Sequence, residues 1–311
     1  MLKILNMYKK YGDFAALGEL SLHINEGELY GFVGPNGAGK TTAMKIIAGL
    51  LEADSGELYI DGVDAIRQPE HIKDKIAFMP DSFGFYNNLK VFEYMIFFAD
   101  IFGIQGKNAK MRCSELLEMV NLASKRDCYI DELSRGMKQK LCLARCLIHT
   151  PKLLILDEPA LGLDPKARFE FNKILKSLNQ QGQTVLISSH ILTEFSQLCT
   201  NIGIIDKGKL ILSDSIDEVF GALSGPSPLI ITVLDGIEKA ISYLSDNPFI
   251  EDLSFTGNSI RINTTADPQM EGTLLKMLID NGIFVIEFRR EKHNLESVFL
   301  KIFERNEGYE D

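Results

Sequence analysis

Nine consecutive residues, Gly34, Pro35, Asn36, Gly37, Ala38, Gly39, Lys40, Thr41 and Thr42, carry the first chemistry in this chain. Their spacing is that of a phosphate-binding loop, G-x-x-x-x-G-K-[ST]. Glycines let backbone N–H groups approach a ligand closely, and a helix N-terminus behind them adds positive potential at the same point. Lys40 is placed to reach the β- and γ-phosphates of a nucleoside triphosphate, and the Thr41 hydroxyl to ligate Mg²⁺. A second pair, Asp157 and Glu158 in "LLILDEP", stands at the carboxyl end of an apolar run. In open α/β sheets ligands sit at strand carboxyl ends, so both carboxylates are expected to face the phosphates. Asp157 is suited to hold Mg²⁺ through water, and Glu158 to polarise an attacking water as general base.

These residues need elements that hold them. The alternation of "ELYGFV" predicts a strand ahead of the loop, and "TTAMKIIAGLL" an amphipathic helix after it. Strands are expected in "LKILNMYKKYG" and "LGELSLHINEG", a hairpin in "DSGELYIDGVDA" with Gly62 at its turn, and a short strand in "KIAFMP". From about 88 to 132 the periodicity turns helical, predicting a helical insert within a sheet protein. Strands return at "KLLILDEP", "QTVLISSH" and "NIGIIDKGKLI", with helices between. Such alternation predicts a mostly parallel sheet covered on both faces. The Gly/Ser/Pro-rich "GALSGPSP" at 221–228 reads as a linker. Beyond it, the order strand, helix, strand, strand, helix, strand over 229–289 is the βαββαβ pattern of a ferredoxin-like fold, closed by a helix in "NLESVFLKIFE". Two domains are expected, 1–220 and 229–311.

Composition sets limits. The chain has 311 residues, 45% hydrophobic and 24% charged, with a net charge of −10. The acidic balance argues against a nucleic-acid surface, and none is expected as a partner. No apolar run approaches the roughly 20 residues of a membrane span, and "MLKILNMYKKYGD" lacks the apolar core of a signal peptide. A cytoplasmic location is expected, with any membrane role supplied by a partner. Cys142 and Cys146, four apart in a helical pattern, look like half a metal site, but no His or Cys pair completes it; buried or free thiols are the better reading.

Three further segments carry a family resemblance. "LSRGMKQK" (133–140) resembles the signature LSGGQ, with Arg135 and Met137 as departures. "LDEPALGLDP" (156–165) resembles the catalytic strand and D-loop, and "SSHIL" (188–192) the switch-histidine segment. With the phosphate loop, in this order, the first 220 or so residues resemble the ATP-binding subunit of an ATP-binding-cassette (ABC) transporter. The resemblance implies a P-loop NTPase fold of the ABC type, with ATP and Mg²⁺ bound and ATP hydrolysed. It implies that Tyr11, in "KKYGDFAAL", stacks on adenine, at about 1–3 kcal/mol for a base–aromatic contact. His190 is placed to hydrogen-bond the γ-phosphate. Ser134 and Gly136 precede a helix whose N-terminus is a second anion site; the resemblance gives it the γ-phosphate held by another subunit's loop. One chain carries one loop and one signature, so a head-to-tail homodimer is implied.

Asp81 departs from the pattern, standing where the family often has a glutamine. It can bind a water on Mg²⁺, or it can cap the turn after Pro80. "GLDP", "SSHIL" and "LESVFLKIF" most resemble bacterial multidrug or antibiotic exporter ATPases, so export through a separate membrane permease is favoured over import. The subunit is then peripheral on the inner face of the cell membrane. A DNA-maintenance ATPase would need a coiled-coil insert or basic surface, and a ribosome-associated cassette protein normally carries two cassettes. The second domain reads either as a dimer brace or as a regulatory ligand site.

Overall fold

The computed structural model describes residues 1–82, 84–86, 88–190, 195–223, 228–245 and 247–291. It divides the chain into two units, Met1–Ile216 and Asp217–Asp311.

In the first unit, β1 (Leu2–Tyr11) and β2 (Phe14–Ile24) form an antiparallel pair, followed by β3 (Leu29–Val33) and α1 (Lys40–Ile47). β4 (Ser55–Ile60) and β5 (Val63–Asp64) make the expected hairpin, with Asp61 and Gly62 both at positive φ. That is the backbone of a tight two-residue hairpin turn. β6 (Ile76–Met79) leads into the helical insert: α2 (Val91–Ile101), α3 (Gly106–Met119) and α4 (Arg135–Cys146). The chain then returns as β7 (Leu153–Leu156), α5 (Pro165–Gln180), β8 (Thr184–Ser189), the short α6 (Phe195–Leu198), β9 (Asn201–Asp206) and β10 (Lys209–Ser215).

These strands form two sheets. One is antiparallel, in the order β2-β1-β4-β5. The other runs β10-β9-β3-β8-β7-β6, parallel except for β10 at its edge. Strand–helix alternation in the sequence predicts the parallel sheet but does not separate the antiparallel one from it. "NIGIIDKGKLI", expected as one strand segment, is two: Lys207 and Gly208 both take positive φ and turn β9 back into β10.

Burial explains the parallel sheet. Every residue of β3, β7 and β8 is buried. Each fully buried Leu, Ile or Val contributes about 1.5–3 kcal/mol relative to exposure. α1 packs Met44 and Ile47 into a core shared by Ile4 and Leu20 of the antiparallel sheet and Phe32, Ile155 and Leu186 of the parallel one. α1 is thereby fixed between the sheets, with its N-terminus at the carboxyl end of β3.

α7 (Ile216–Leu223) spans the boundary between the units. The second unit then follows as β11 (Leu229–Val233), α8 (Ile237–Ser245), β12 (Ile250–Thr256), β13 (Ser259–Thr264), α9 (Pro268–Asp280) and β14 (Val285–Arg290). Its antiparallel sheet has the order β12-β13-β11-β14. Leu229, Ile231, Ile260 and Ile262 of that sheet pack with Ala240, Leu244 and Leu278 of the two helices. Alternation along β11 and β13, buried residue against half-buried or exposed, gives the sheet one covered face. Residues 224–227 of the linker, Ile191 and Leu192, and the expected terminal helix lie outside the described residues. Among the described residues no helix is long and apolar enough to cross a membrane.

Candidate functional site

The phosphate loop is shaped by its neighbours. Gly34 follows β3 directly, and a Cβ there would overlap the Ile205 carbonyl oxygen of β9. Gly39 precedes α1 at φ 104, where a Cβ would stand 2.5 Å from the Ala16 carbonyl oxygen. Only glycine suits either position. The Ala38 carbonyl accepts from Gly208 N–H at 3.0 Å, tying the loop to the β9–β10 turn. α1 has no acidic residue in its own first turn to offset the positive end of its dipole.

Lys40 is the buried cation of the site, only 6% exposed. Its Nζ donates to the carbonyls of Gly34 at 2.7 Å and Pro35 at 3.0 Å, and lies 3.8 Å from Glu158 Oε1. Burial lowers its pKa below the ordinary lysine value, and Glu158 and then Asp157 oppose that shift.

Register places the acids. β7 pairs with β8 at Leu156↔Ile187, and β8 with β3 at Val33↔Ser189. The carboxyl ends of these strands therefore bring Gly34, Asp157, Glu158, Ser188 and His190 to one edge. Asp157 is fully buried; its Oδ1 accepts from Ser188 Oγ at 2.7 Å, and its Oδ2 has no partner among the described residues. Glu158 adopts φ 46, an uncommon backbone for a side chain other than glycine's, and its N–H donates to Ser188 Oγ at 2.8 Å. His190 Nδ1 stands 3.0 Å from Glu158 Oε2.

An open cleft of about 450 Å³ takes in Lys40, Glu158 and His190, whereas the fully buried Asp157 and Ser188 do not line it. Of the residues expected from sequence, Tyr11, Asn36, Gly37, Gly39, Lys40, Thr41, Thr42, Asp81, Glu158 and His190 line it. Gly34 and Ala38 are buried and shape the loop, while Pro35 is exposed and supplies a carbonyl to Lys40. Tyr11 is exposed at the rim of β1, one residue from the β1–β2 turn. Asp81 is exposed, and its Oδ1 accepts from the Ser82 N–H at 2.7 Å.

Ser134 and Gly136 are not brought to the cleft. Ser134 caps α4, its Oγ accepting from Met137 N–H at 3.3 Å. Gly136, expected ahead of the helix, is instead its second residue, because the Ser134 cap starts the helix at Arg135; it packs on Ala167 at the start of α5.

Ser188, Phe14 and Leu161 are the residues that sequence reasoning passes over. Phe14 pairs with Tyr11 across the β1–β2 turn and, like Leu161, lines the cleft. The available signal for Ser188 is its place in "SSHIL": a hydroxyl two residues before His190, on a strand that must end beside the acids.

Residues 17–161 match the family model described as ABC transporter. Over 303 residues the chain is 34% identical to the bacitracin transport ATP-binding protein BcrA of Bacillus licheniformis, across 97% of each chain. Over 304 residues it is 31% identical to the linearmycin resistance ATP-binding protein LnrL of Bacillus subtilis (strain 168), across 97% of this chain and 98% of the other. A solved dimeric ATP-binding cassette in a post-hydrolysis state, bound to ADP and phosphate, superposes with a TM-score of 0.63 at 28% identity, over 70% of this chain and 99% of that one. With the cleft geometry these likenesses agree, and the chain belongs to the ATP-binding subunits of ABC transporters.

Proposed function

We propose that this subunit powers an exporter by hydrolysing ATP between two copies of itself beneath a separate membrane permease. The observation that carries the reading is the meeting of Lys40, Glu158 and His190 in the cleft above the phosphate loop. Lys40 and the loop amides bind the β- and γ-phosphates, exchanging two loop carbonyls for phosphate oxygens. Tyr11 stacks on the base. Glu158 takes the proton from water as its oxygen attacks the γ-phosphorus and ADP leaves. His190 holds the γ-phosphate and keeps the Glu158 carboxylate oriented.

The acid set fits Mg²⁺. Asp157 offers a buried carboxylate oxygen without a partner among the described residues, which a hydrated divalent cation would satisfy. Thr41, Asp157 and Asp81 would hold it, and when bound it neutralises phosphate charge.

Two features favour the dimer. The start of α4 at Ser134–Gly136 lies outside the chain's own cleft, which suits this helix end to a second copy's nucleotide. A solved relative is itself dimeric. Export rests on the relatives, which are named for bacitracin transport and linearmycin resistance. Residues 229–311 we read as an accessory domain, ferredoxin-like in strand order, joined to the ATPase domain of residues 1–220; it braces the dimer or takes a regulatory ligand.

Glu158→Gln tests the reading. It removes the base and preserves shape, so ATP and Mg²⁺ should trap a dimer on size exclusion with hydrolysis lowered at least about a hundredfold. A monomer that still turns over ATP contradicts it.

A further inference from the structure

α4 departs from the signature pattern at Arg135, and the structure gives that arginine a specific neighbour. A Cβ on Gly162 would lie 2.5 Å from Arg135 Cζ and 2.8 Å from Nη2, and closer still to Nη1. The near-equal approach of three guanidinium atoms means that the flat face of the group rests on backbone with no side chain. Gly162 sits at φ 71, four residues after Glu158.

Other residues of the same helix end reach the same segment. Gly136 abuts Leu163 and Ala167. Gln139, one turn beyond Arg135, directs Nε2 to the Leu161 carbonyl at 3.5 Å. Leu161 lines the cleft, and its N–H donates to the Glu158 carbonyl at 3.1 Å. Contacts therefore run without a gap from the N-terminus of α4, through Gly162 and Leu161, to Glu158. A cation in the first turn of a helix opposes the helix dipole, and no acidic residue in that turn offsets it. Arg135 is thus not placed to stabilise α4.

We propose that Arg135 is a positioning residue for hydrolysis, whose guanidinium, seated on Gly162, fixes the Leu161–Gly162 turn against α4 and so sets the Glu158 carboxylate in the cleft. The inference rests on the ATPase reading above. Gly162 is the other half of the pair, because the absence of its side chain admits the guanidinium. In the proposed dimer the same end of α4 meets the second copy's nucleotide, so the pair links engagement at one site to placement of the base at the other.

A double-mutant cycle on the full-length protein tests this, with Arg135→Ala, Gly162→Ala and the double variant. Hydrolysis, binding of a fluorescent ATP analogue and thermal unfolding are measured in parallel. Arg135→Ala should lower kcat about tenfold, with nucleotide affinity within about twofold and an unchanged unfolding temperature. Gly162→Ala should lower kcat at least as much in the wild-type background, but by less than about twofold in the Arg135→Ala background, where only backbone strain remains. Arg135→Lys should not rescue, because an ammonium cannot lie flat on a peptide. Additive losses, rescue by lysine, or wild-type kcat in Arg135→Ala would overturn the inference. Lys40→Ala is the control for the site: if it leaves ATP binding intact, the ATPase reading fails instead.

Discussion

Ser188 Oγ donates to Asp157 Oδ1 at 2.7 Å and accepts from the Glu158 N–H at 2.8 Å. One buried hydroxyl on β8 therefore orients two consecutive acids that follow β7. It uses one Asp157 oxygen and leaves Oδ2 for a ligand, while securing the strained backbone from which the Glu158 side chain reaches Lys40 and His190.

Ser188→Ala removes both bonds. A buried carboxylate loses its donor and a backbone N–H loses its acceptor, at about 1–3 kcal/mol of stability. Since the hydroxyl orients groups proposed to hold Mg²⁺ and water, hydrolysis should fall about 10–100-fold. Urea unfolding and steady-state hydrolysis against Mg²⁺ concentration measure the two effects. Wild-type values in both would show that Ser188 orients nothing.

Asp81 lines the cleft while bonding the next N–H in the chain. An asparagine preserves the turn, because its side-chain oxygen accepts the same bond. What Asp81→Asn removes is the negative charge facing the cleft. If that charge serves Mg²⁺, the variant should need about tenfold more Mg²⁺ for half-maximal hydrolysis, with ATP affinity little changed. An unaltered Mg²⁺ dependence assigns Asp81 to the turn alone.

Asp61 ties the β4–β5 hairpin to the start of the parallel sheet. Hydrogen bonds from Lys152 at 2.9 Å and Lys75 at 2.7 Å hold its pKa at about 2, below the ordinary value of 3.8. The folded state thus prefers the carboxylate. Its contribution is full above pH 3.8 and disappears as pH falls through about 2. Solvent screens the cluster, so Asp61→Asn should cost only about 1 kcal/mol at neutral pH. Urea unfolding of both proteins across acidic pH should show that difference shrinking as pH falls from 4 towards 2. A constant difference would mean that packing, not charge, is lost.

The sequence by itself determined the chemistry that is local. Gly34 to Thr42 form one uninterrupted loop and helix start, and Asp157–Glu158 end one apolar run, so spacing and hydrophobic pattern suffice to read them. Hairpins turned by Asp61–Gly62 and Lys207–Gly208 differ in legibility: the first has turn residues between two short alternating runs, whereas the second lies inside a run apolar enough to pass for one strand. Tertiary structure alone decided what lies far apart in the chain. That Ser188 meets Asp157 depends on β8 lying beside β7 in one particular register. That Arg135 rests on Gly162 depends on α4 packing against the segment between β7 and α5. That Ser134 and Gly136 stay out of the cleft depends on where the helical insert holds α4. Periodicity reports which face of an element is buried. It carries no information on which element covers that face, because burial is rewarded by any apolar neighbour, and only strand order and register choose among them.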